Sequence, residues 1–398
     1  MRRRLEDHGH AGERDAERDR GAERERGCEL QCQRAPGGQR RGGDHGQHGD
    51  ADRDDRRDDG SRRDDGRCDD DVVGEAGRNG CREASGRRRW REEAHEHRSG
   101  ELRRRHVLVG SEEEVSVKGV GLGLRWEFLE DLLAAKKDEL PIDFLEISPE
   151  NYVGRGGYYP AALSRLSSEY SILTHGLTMS LGGNDPLDAS YLREIGAFVR
   201  DVRAPWHSDH LCFSTAAGAV LHDLLPLRFT KASAEHVADR VKRARDALGV
   251  PMAVENISFY TDPGPREMDE PEWISLVCDK ADCGLMLDVN NAYVNSQNFG
   301  FDVDAWMRNA PLERTVQMHV AGHDRFEESD FTEGATGTII LDTHGQDVPD
   351  PVLALLERVL PRTGDVPIVL ERDTNIPPFA ELMNELRRIR AVRDRVFR

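Results

Sequence analysis

The stretch LMLDVNN, residues 285–291, carries the feature that decides the fold: a short apolar run with an abrupt polar end. Such a run is typical of a strand buried on both faces, as in a parallel sheet covered by helices. Five further segments have this form: FLEIS at 144–148, ILTHG at 172–176, MAVEN at 252–256, VQMHV at 316–320 and IVLERD at 368–373. In barrels of parallel strands, the ends of the strands carry the functional site. The pattern therefore predicts parallel strands whose polar ends meet on one rim.

The order of the predicted elements indicates an α/β fold of the (β/α)8 TIM-barrel type. The predicted strands span 120–125, 143–148, 171–176, 206–213, 251–257, 284–289, 316–321 and 367–372. The predicted helices span 126–137, 160–169, 188–202, 230–248, 271–281, 302–309, 351–360 and 378–394. Eight strands alternating with eight helices fit a barrel of this kind. The alternative is a doubly wound sheet, but GLGLR at 121–125 is not the GxGxxG nucleotide loop of that fold.

The first 110 residues differ in composition from the rest of the 398-residue chain. They are dominated by Arg, Asp, Glu, Gly and His, as in DADRDDRRDDGSRRDDGR at 50–67. Because so few apolar side chains cannot form a core, we expect a disordered, low-complexity charged tail over 1–110. That tail is either a solvated extension or translated sequence upstream of a later start. The barrel domain is expected over 118–396.

The overall charge bears on the partners of the chain. The chain has 56 basic and 75 acidic residues, a net charge of −19. This balance argues against binding to nucleic acid or to an anionic membrane. No apolar stretch approaches the roughly 20 residues that span a bilayer, and the N-terminus lacks the apolar segment of a signal peptide. We therefore expect a cytoplasmic protein.

The seven cysteines give no pattern of disulfides or of a zinc knuckle. They are scattered, without CxxC spacing, at Cys28, Cys32, Cys68, Cys81, Cys212, Cys278 and Cys283. In a chain of this length, outside a short secreted scaffold, such cysteines are expected to be reduced thiols.

Nine potential metal ligands lie along the second two-thirds of the chain, almost all at the ends of the apolar runs. They are His175, His210, Glu255, Asp288, Asn291, His319, Asp342, His344 and Glu371. A buried charge is costly unless it is paired or bound to a cation, so packing alone does not explain this set. Histidine mixed with carboxylate and amide oxygens suits iron, zinc or manganese.

Each ligand taken singly has a simpler interpretation. A histidine at a strand end, such as His175, is often a hydrogen-bonded core residue. Asp288 and Asn291 are spaced for an Asx turn or a helix cap as well as for a metal. Glu371 could pair with Arg372, although adjacent strand residues point to opposite faces. The pair Asp342 and His344 occupies alternate positions of a segment that we expect to be extended, so both side chains would share a face.

The ordered ligands resemble those of the endonuclease IV-like and xylose isomerase-like TIM barrels. In endonuclease IV, however, a histidine takes the place of Asn291. The phrases FLEISPENY, THGLTMSLGG, SDHLCF, VENIS, LDVNNAYVNSQNFG, MHVAGH, DTHG and LERD are more similar to another branch. This branch is the multinuclear non-haem iron-dependent oxidases, the domain-of-unknown-function 692 group that includes the methanobactin-biosynthesis oxidase. The resemblance covers residues 118–396.

The resemblance implies a cluster of two or three iron ions, held by the nine ligands, that uses O2 to rearrange a cysteine oxidatively in a ribosomally synthesised precursor peptide. It also implies a small partner protein that recognises the leader of that peptide. Asp342, His344 and Glu371 would be the catalytic ligands. Further residues expected to orient ligands or to contact substrate are Glu146, Glu150, Asn151, Asp209 and His323.

Two other classes of function stay open. A zinc-dependent phosphodiesterase of the endonuclease IV kind would use metal ions to ionise water and to bind a phosphate, and it would need a basic groove for DNA. A non-catalytic barrel that binds metal or peptide would not need so many converging ligands.

Overall fold

A computed structural model describes residues 117–331, 334 and 336–398. The tail predicted for residues 1–110 lies outside the described residues, as do the four cysteines in it. The strands in the described part of the chain are β1 Val120–Gly123, β2 Phe144–Ile147, β3 Ser171–His175, β4 His207–His210, β5 Phe213–Ala216, β6 Ala219–Leu225, β7 Met252–Glu255, β8 Gly284–Asp288, β9 Thr315–Val320, β10 Asp324–Glu327, β11 Thr338–Leu341 and β12 Ile368–Leu370.

Eight of these strands form a closed parallel barrel in the order β1-β12-β9-β8-β7-β4-β3-β2. Strand β1 closes it, because Leu122 pairs with Leu370 of β12 on one side and with Leu145 of β2 on the other. The predicted TIM barrel is confirmed, and every predicted strand coincides with a barrel strand. The alternative of an open, doubly wound sheet is wrong.

The helices of the described residues cover the outside of the barrel. They are α1 Leu129–Ala134, α2 Tyr158–Leu166, α3 Ala189–Asp201, α4 Lys231–Leu248, α5 Glu270–Ala281, α6 Val289–Phe299, α7 Val303–Asn309, α8 Asp350–Thr363 and α9 Phe379–Val396. Each predicted helix overlaps an observed one. Helix α6 was not predicted. It begins directly after β8, where the Asp288 side chain accepts a hydrogen bond from the backbone N–H of Asn291 and so caps the helix.

Two antiparallel hairpins extend the loops that follow barrel strands. One pairs β5 with β6 after β4, and the other pairs β10 with β11 after β9. Both follow the C-terminal ends of barrel strands, so they belong to the side of the barrel where TIM-barrel enzymes place their sites.

The barrel interior is filled by a small cluster of side chains, separate from the larger core between strands and helices. It consists of Val117, Phe144, Leu173, Trp206, Ala253, Met286 and Val369, with Val316 packed against it. Side chains two positions apart on a strand share a face. On β8, Met286 lies in the barrel interior and Asp288, two places later, points into the barrel mouth; Phe144 and Glu146 of β2, Leu173 and His175 of β3, and Ala253 and Glu255 of β7 have the same relation. This register brings the polar strand ends together.

The described residues contain no helix long and apolar enough to cross a membrane. Cys212, Cys278 and Cys283 are buried and free, in agreement with the predicted reduced thiols.

Candidate metal centre

Three overlapping groups of possible metal ligands lie at the C-terminal mouth of the barrel. In each group, one ligand atom per residue lies within 4.8 Å of the others. The groups are His175, His210 and Glu255, then Glu255, Asp288 and His319, and finally Asp288, His344 and Glu371. Glu255 belongs to the first two groups and Asp288 to the last two. The described residues thus contain groups that could hold more than one metal ion side by side, joined by shared carboxylates.

The first group is the most compact. His175 Nε2 and His210 Nε2 are 3.1 Å apart, and both approach Glu255 Oε2, at 3.1 and 3.2 Å respectively. Ligands that share one ion at about 2.1 Å lie about 3 Å apart, so these three atoms fit a single ion. The His175 ring is oriented by a contact of 3.0 Å between its Nδ1 and Ser208 Oγ. Asp209 accepts a hydrogen bond of 2.8 Å from the backbone N–H of His210 and lies behind that ring.

The second group depends on how His319 is oriented. Its Nε2 lies 2.8 Å from Glu146 Oε1, and the other oxygen of Glu146 accepts a hydrogen bond from the Gln317 amide. A carboxylate on one ring nitrogen leaves the other nitrogen to face a metal. That second nitrogen, Nδ1, lies 3.8 Å from Glu255 Oε1. Glu146 is therefore placed to orient a ligand rather than to be one.

The third group connects strand β12 with the loop after β11. Glu371 Oε2 lies 2.9 Å from His319 Nδ1 and 3.5 Å from His344 Nδ1. His344 Nε2 lies 2.8 Å from Asp342 Oδ1, so the predicted DxH pair does meet. The expectation of an extended segment is wrong, because His344 has a positive φ of 50°. The two side chains converge through a turn of the loop instead of through strand alternation.

Several buried polar atoms at the mouth lack a hydrogen-bond partner among the described residues. They are Glu255 Oε2, Asp288 Oδ2, Asn291 Oδ1, His210 Nδ1, His319 Nδ1 and His344 Nε2. His319 Nδ1 and His344 Nε2 are nevertheless within 2.9 Å of a carboxylate oxygen, so they are close to it without hydrogen-bond geometry. Buried groups are rarely left unsatisfied, and shared cations would satisfy these atoms except His210 Nδ1, which faces Asp209. The residues therefore fit metal ions.

The charges at the mouth perturb one another strongly. Burial and the charges of Asp342 and Glu255 raise the pKa of Asp288 well above its usual range. Burial lowers the pKa of His210, but Glu255 and Asp209 outweigh it and raise that pKa to about 9. In Glu371, burial is outweighed by His344 and His319, which hold its pKa well below the usual range. The buried carboxylates thus outnumber the positively charged groups at the mouth. Bound cations would supply the missing positive charge.

Asn291 and Asp288 combine the two roles that the sequence left open. Asp288 Oδ1 caps helix α6 by accepting the Asn291 N–H at 2.6 Å, while Oδ2 remains without a partner in the described part of the chain. The Asn291 side-chain NH2 donates to the Asn256 carbonyl at 3.1 Å, which leaves its Oδ1 free to face the cavity. Asn256 also exchanges two hydrogen bonds of 2.9 Å with the backbone of Asp288.

Three other predicted residues lie at different distances from the mouth. Glu150 accepts hydrogen bonds from the Leu177 N–H at 2.8 Å and from the Tyr191 hydroxyl at 2.7 Å, so it braces the loop after β3. His323 is held 2.7 Å from the Asn290 side-chain oxygen, and the Asn290 NH2 in turn donates to Asp342. Asn151 is exposed at the end of the 3-10 turn Pro149–Asn151 and does not line the cavity described below.

Sequence reasoning missed Asp373 and Arg125. Asp373 Oδ2 lies 3.0 Å from His344 Nδ1, and Arg125 donates to Asp373 at 2.9 Å through its Nε. Arg125 also approaches Glu371, at 3.6 Å. Asp373 follows Glu371 by two positions, a spacing that could have indicated a shared face. Arg125 gives no such signal, because it reaches the site only through the closure of β1 on β12.

A cavity of about 1270 Å³ opens above the three groups. His210, Glu255, Asn291, His344 and Glu371 line it. Its wall also includes the β5–β6 hairpin and the loop 177–188. This volume exceeds the roughly 300–1,000 Å³ of most small-molecule pockets.

The chain is similar to known proteins in sequence and, more weakly, in structure. A xylose isomerase-like TIM barrel protein from Mycobacterium smegmatis, solved in complex with magnesium, is similar with a TM-score of 0.44 and 10% identity, covering 68% of this chain and 88% of that one. A UPF0276 protein from Shewanella oneidensis is 41% identical over 278 residues, 69% of this chain and 94% of that protein. A UPF0276 protein from Pseudomonas aeruginosa is 43% identical over 279 residues, with coverage of 70% and 94%.

Residues 119–394, nearly the whole barrel, match the family described as RiPP precursor modification enzyme MbnB/TglH/ChrH. Members of this family act on ribosomally synthesised precursor peptides. With this match and with relatives at 41% and 43% identity, the chain belongs to the MbnB/TglH/ChrH family of RiPP precursor modification enzymes.

Proposed function

We propose that the chain is a multinuclear iron-dependent oxidase that uses O2 to modify a cysteine in a precursor peptide. The observation that carries this proposal is the set of three overlapping ligand groups beneath one large cavity. The first group contains two histidines and one carboxylate, the ligand set of many non-haem Fe(II) oxygenases. Iron held in these groups would supply redox chemistry with O2 and a position for the substrate thiolate.

The contribution of the protein is to orient the ligands. Ser208 and Glu146 fix the rings of His175 and His319 through the nitrogen that faces away from the shared ligand atoms. Asp373 contacts the His344 ring through Nδ1, the nitrogen opposite the one beside Asp342. Such outer contacts set which ring nitrogen is available and increase its basicity. In this proposal, Asp342, His344 and Glu371 hold the part of the cluster nearest the loop after β11.

The cavity wall favours a peptide as the substrate. Leu177, Val220 and Tyr260 line the cavity and remain 40%, 67% and 46% exposed. Apolar side chains exposed together around a site commonly mark a surface that another molecule covers. A peptide would cover them, shield its modified residue from water and place the thiol above the ligand groups. A small partner protein that recognises the leader is part of the proposal, and the family resemblance is its support.

The charge of the cavity disfavours the phosphodiesterase alternative. Among the described residues, its lining contains seven carboxylates and one guanidinium, that of Arg240; the carboxylates are Asp185, Asp188, Asp223, Glu255, Asp342, Glu371 and Asp373. Bound metal ions would offset the carboxylates of the ligand groups. The acidic residues farther out would still repel the phosphates of DNA.

The test is a single-turnover reaction with a candidate precursor peptide that contains a cysteine. Protein loaded anaerobically with Fe(II) should change the mass of that peptide at a cysteine after O2 is added. The change should be lost with a Cys→Ser peptide, because a hydroxyl is a much poorer metal ligand than a thiolate. The zinc-loaded protein is the matched control and should be inactive, since Zn²⁺ has no accessible redox change. Cleavage of abasic DNA by the zinc form, with every cysteine peptide unchanged by the iron form, would replace the oxidase proposal by the nuclease.

A further inference from the structure

A second cavity, of about 570 Å³, lies on the outer face of the barrel between helices α3 and α4. Four arginines and one histidine are among the twelve described residues that line it, although the whole chain has a net charge of −19. None of the metal-ligand candidates lines it. The basic side chains in its wall are Arg193, Arg200, His236, Arg240 and Arg243.

The helix geometry places these basic groups in two facing rows. Arg193 and Arg200 are seven residues apart on α3, and His236 and Arg243 are seven residues apart on α4. Seven residues of helix are two turns, about 10 Å along the axis. Each row is therefore longer than one small anion, and the cavity suits a ligand with several negative groups spaced along its length.

Arg240 is the buried part of this wall. It is 4% exposed and donates to the backbone carbonyls of Asp185 at 2.7 Å and Ser180 at 3.1 Å. Its Nε has no hydrogen-bond partner among the residues that the structure describes. Burial and the like charge of Arg243 lower the pKa of Arg240, and a nearby anion would favour its charged form.

The acidic groups near the cavity do little to neutralise the positive charge of its arginines. In the part of the chain that the structure describes, Asp185 is the one carboxylate of this wall, and its Oδ2 accepts a hydrogen bond from the Gly218 N–H at 3.0 Å. Arg243 lies 3.4 Å from Asp239, but both side chains are more than half exposed. An exposed pair of this kind contributes little, so the Arg243 guanidinium stays available to a ligand.

The basic cavity adjoins the metal cavity. Asp185, Pro186, Leu187 and Arg240 line both. A single extended chain could therefore run from one cavity into the other. The acidic lining of the metal cavity would repel a polyphosphate chain along that route, whereas a polypeptide can change its charge from residue to residue.

We propose that the cavity between α3 and α4 binds an acidic segment of the substrate peptide, through carboxylates that pair with its arginines. This inference rests on the proposed function for the identity of the ligand as a peptide. In this proposal, the basic cavity binds a segment of the peptide away from the residue that is modified. Guanidinium groups bind carboxylates in bidentate fashion, which gives such a segment a defined position.

The experiment measures the anisotropy of fluorescein-labelled hexaglutamate titrated with the full-length, metal-loaded protein at low salt. We expect saturable binding that weakens as salt is added. The double variant Arg193→Glu, Arg243→Glu should weaken it at least tenfold, and the milder Arg243→Gln should weaken it less. Both arginines are exposed, so the variants should fold, which circular dichroism would check. Arg387→Glu, an exposed arginine of α9 outside the cavity, is the control with the same change of charge per site.

Two outcomes would overturn the inference. One is no binding of hexaglutamate, or binding that the double variant and Arg387→Glu weaken equally. The other is a thymidine hexanucleotide that competes as well as unlabelled hexaglutamate, which would assign the cavity to nucleic acid. Because the assay needs no turnover, these outcomes are separate from a failure of the oxidase reaction. Hexaglutamate could bind as expected while the peptide reaction failed, and the reverse could also occur.

Discussion

Replacing Glu255 by Gln should shift stability in opposite directions in the metal-free and metal-loaded protein. Glu255 Oε2 is the oxygen that approaches His175 Nε2 and His210 Nε2, and the residue also belongs to the group with Asp288. Glutamine has nearly the same shape, so the substitution removes a charge without leaving a hole. The residue is 2% exposed, and a purely structural role would therefore give destabilisation in both states.

The magnitudes follow from the geometry. One oxygen each of Glu255 and Asp288 lie within 4.8 Å of each other, and two full negative charges 4.8 Å apart repel by about 3.5 kcal/mol at an effective dielectric of 20. The nearby histidines offset much of this repulsion, so we expect the metal-free variant to be about 1 kcal/mol more stable than the parent. A metal present at 100 times its Kd stabilises a protein by about 2.7 kcal/mol. If the variant binds that metal 100-fold more weakly, it should lose about 2 kcal/mol of this stabilisation.

Urea unfolding with and without Fe(II), under anaerobic conditions, measures both effects. Asp223→Asn is the matched control, because it neutralises a carboxylate of the same cavity outside the ligand groups. That control should leave the gain in stability on adding metal unchanged. Destabilisation of Glu255→Gln by the same amount in both states would refute the role of Glu255 as a shared ligand.

Three further predictions concern other parts of the molecule. His344→Ala should lower bound iron by at least one equivalent while circular dichroism stays close to the parent, since the residue lies in a loop at the rim; unchanged iron content would remove it from the site. Burial raises the pKa of Glu270 to about 7, so the folded state holds a proton that the unfolded state releases, and stability falls as pH rises between about 4.5 and 7. Glu270→Gln should therefore stabilise the protein by up to about 3 kcal/mol at pH 8 and little at pH 4, whereas the exposed Glu272→Gln should show no such difference; equal effects at the two pH values would count against this account. Deleting residues 1–110 should leave folding and metal content intact, because that stretch lacks a core-forming pattern, and a truncated protein that loses its metal would contradict this.

The barrel strands were predictable because burial on both faces requires a recognisable sequence pattern, an apolar run that ends in a polar residue. The sequence of helix α6 has no comparably clear pattern. Its sequence, VNNAYVNSQNF, is rich in asparagine, which favours caps and turns over helix interiors. The helix forms because Asp288 caps it and because Val289, Ala292 and Val294 are buried. Tertiary packing thus overrides a weak local preference.

The β5–β6 hairpin was missed for a related reason. Its turn places Ala217 and Gly218 at positive φ, 52° and 77°. Two consecutive residues of this kind make the tight turn that Asn-Gly or Asp-Gly usually signals. Here the pair is Ala-Gly, and alanine at the first position does not indicate such a turn.

The candidate ligands could be proposed from the sequence because each closes a strand or follows one closely. Their partners could not be assigned in the same way. That Glu146 faces His319 depends on the register and curvature of a closed barrel, since the two residues lie on β2 and β9. The positive φ of His344 likewise follows from the surrounding loop rather than from its own residue type. Sequence reasoning therefore finds chemical groups more readily than the contacts between them.

An iron cluster at the barrel mouth is tested most directly by the metal content of protein expressed in iron-supplemented medium and purified without oxygen. Elemental analysis with Mössbauer spectroscopy should find two or three iron ions per chain, coupled to one another, because the three ligand groups share Glu255 and Asp288. Air should change the Mössbauer spectrum, as expected for iron that reacts with O2. A protein that holds one isolated iron ion, or zinc with no iron under these conditions, would contradict the proposed cluster of two or three iron ions.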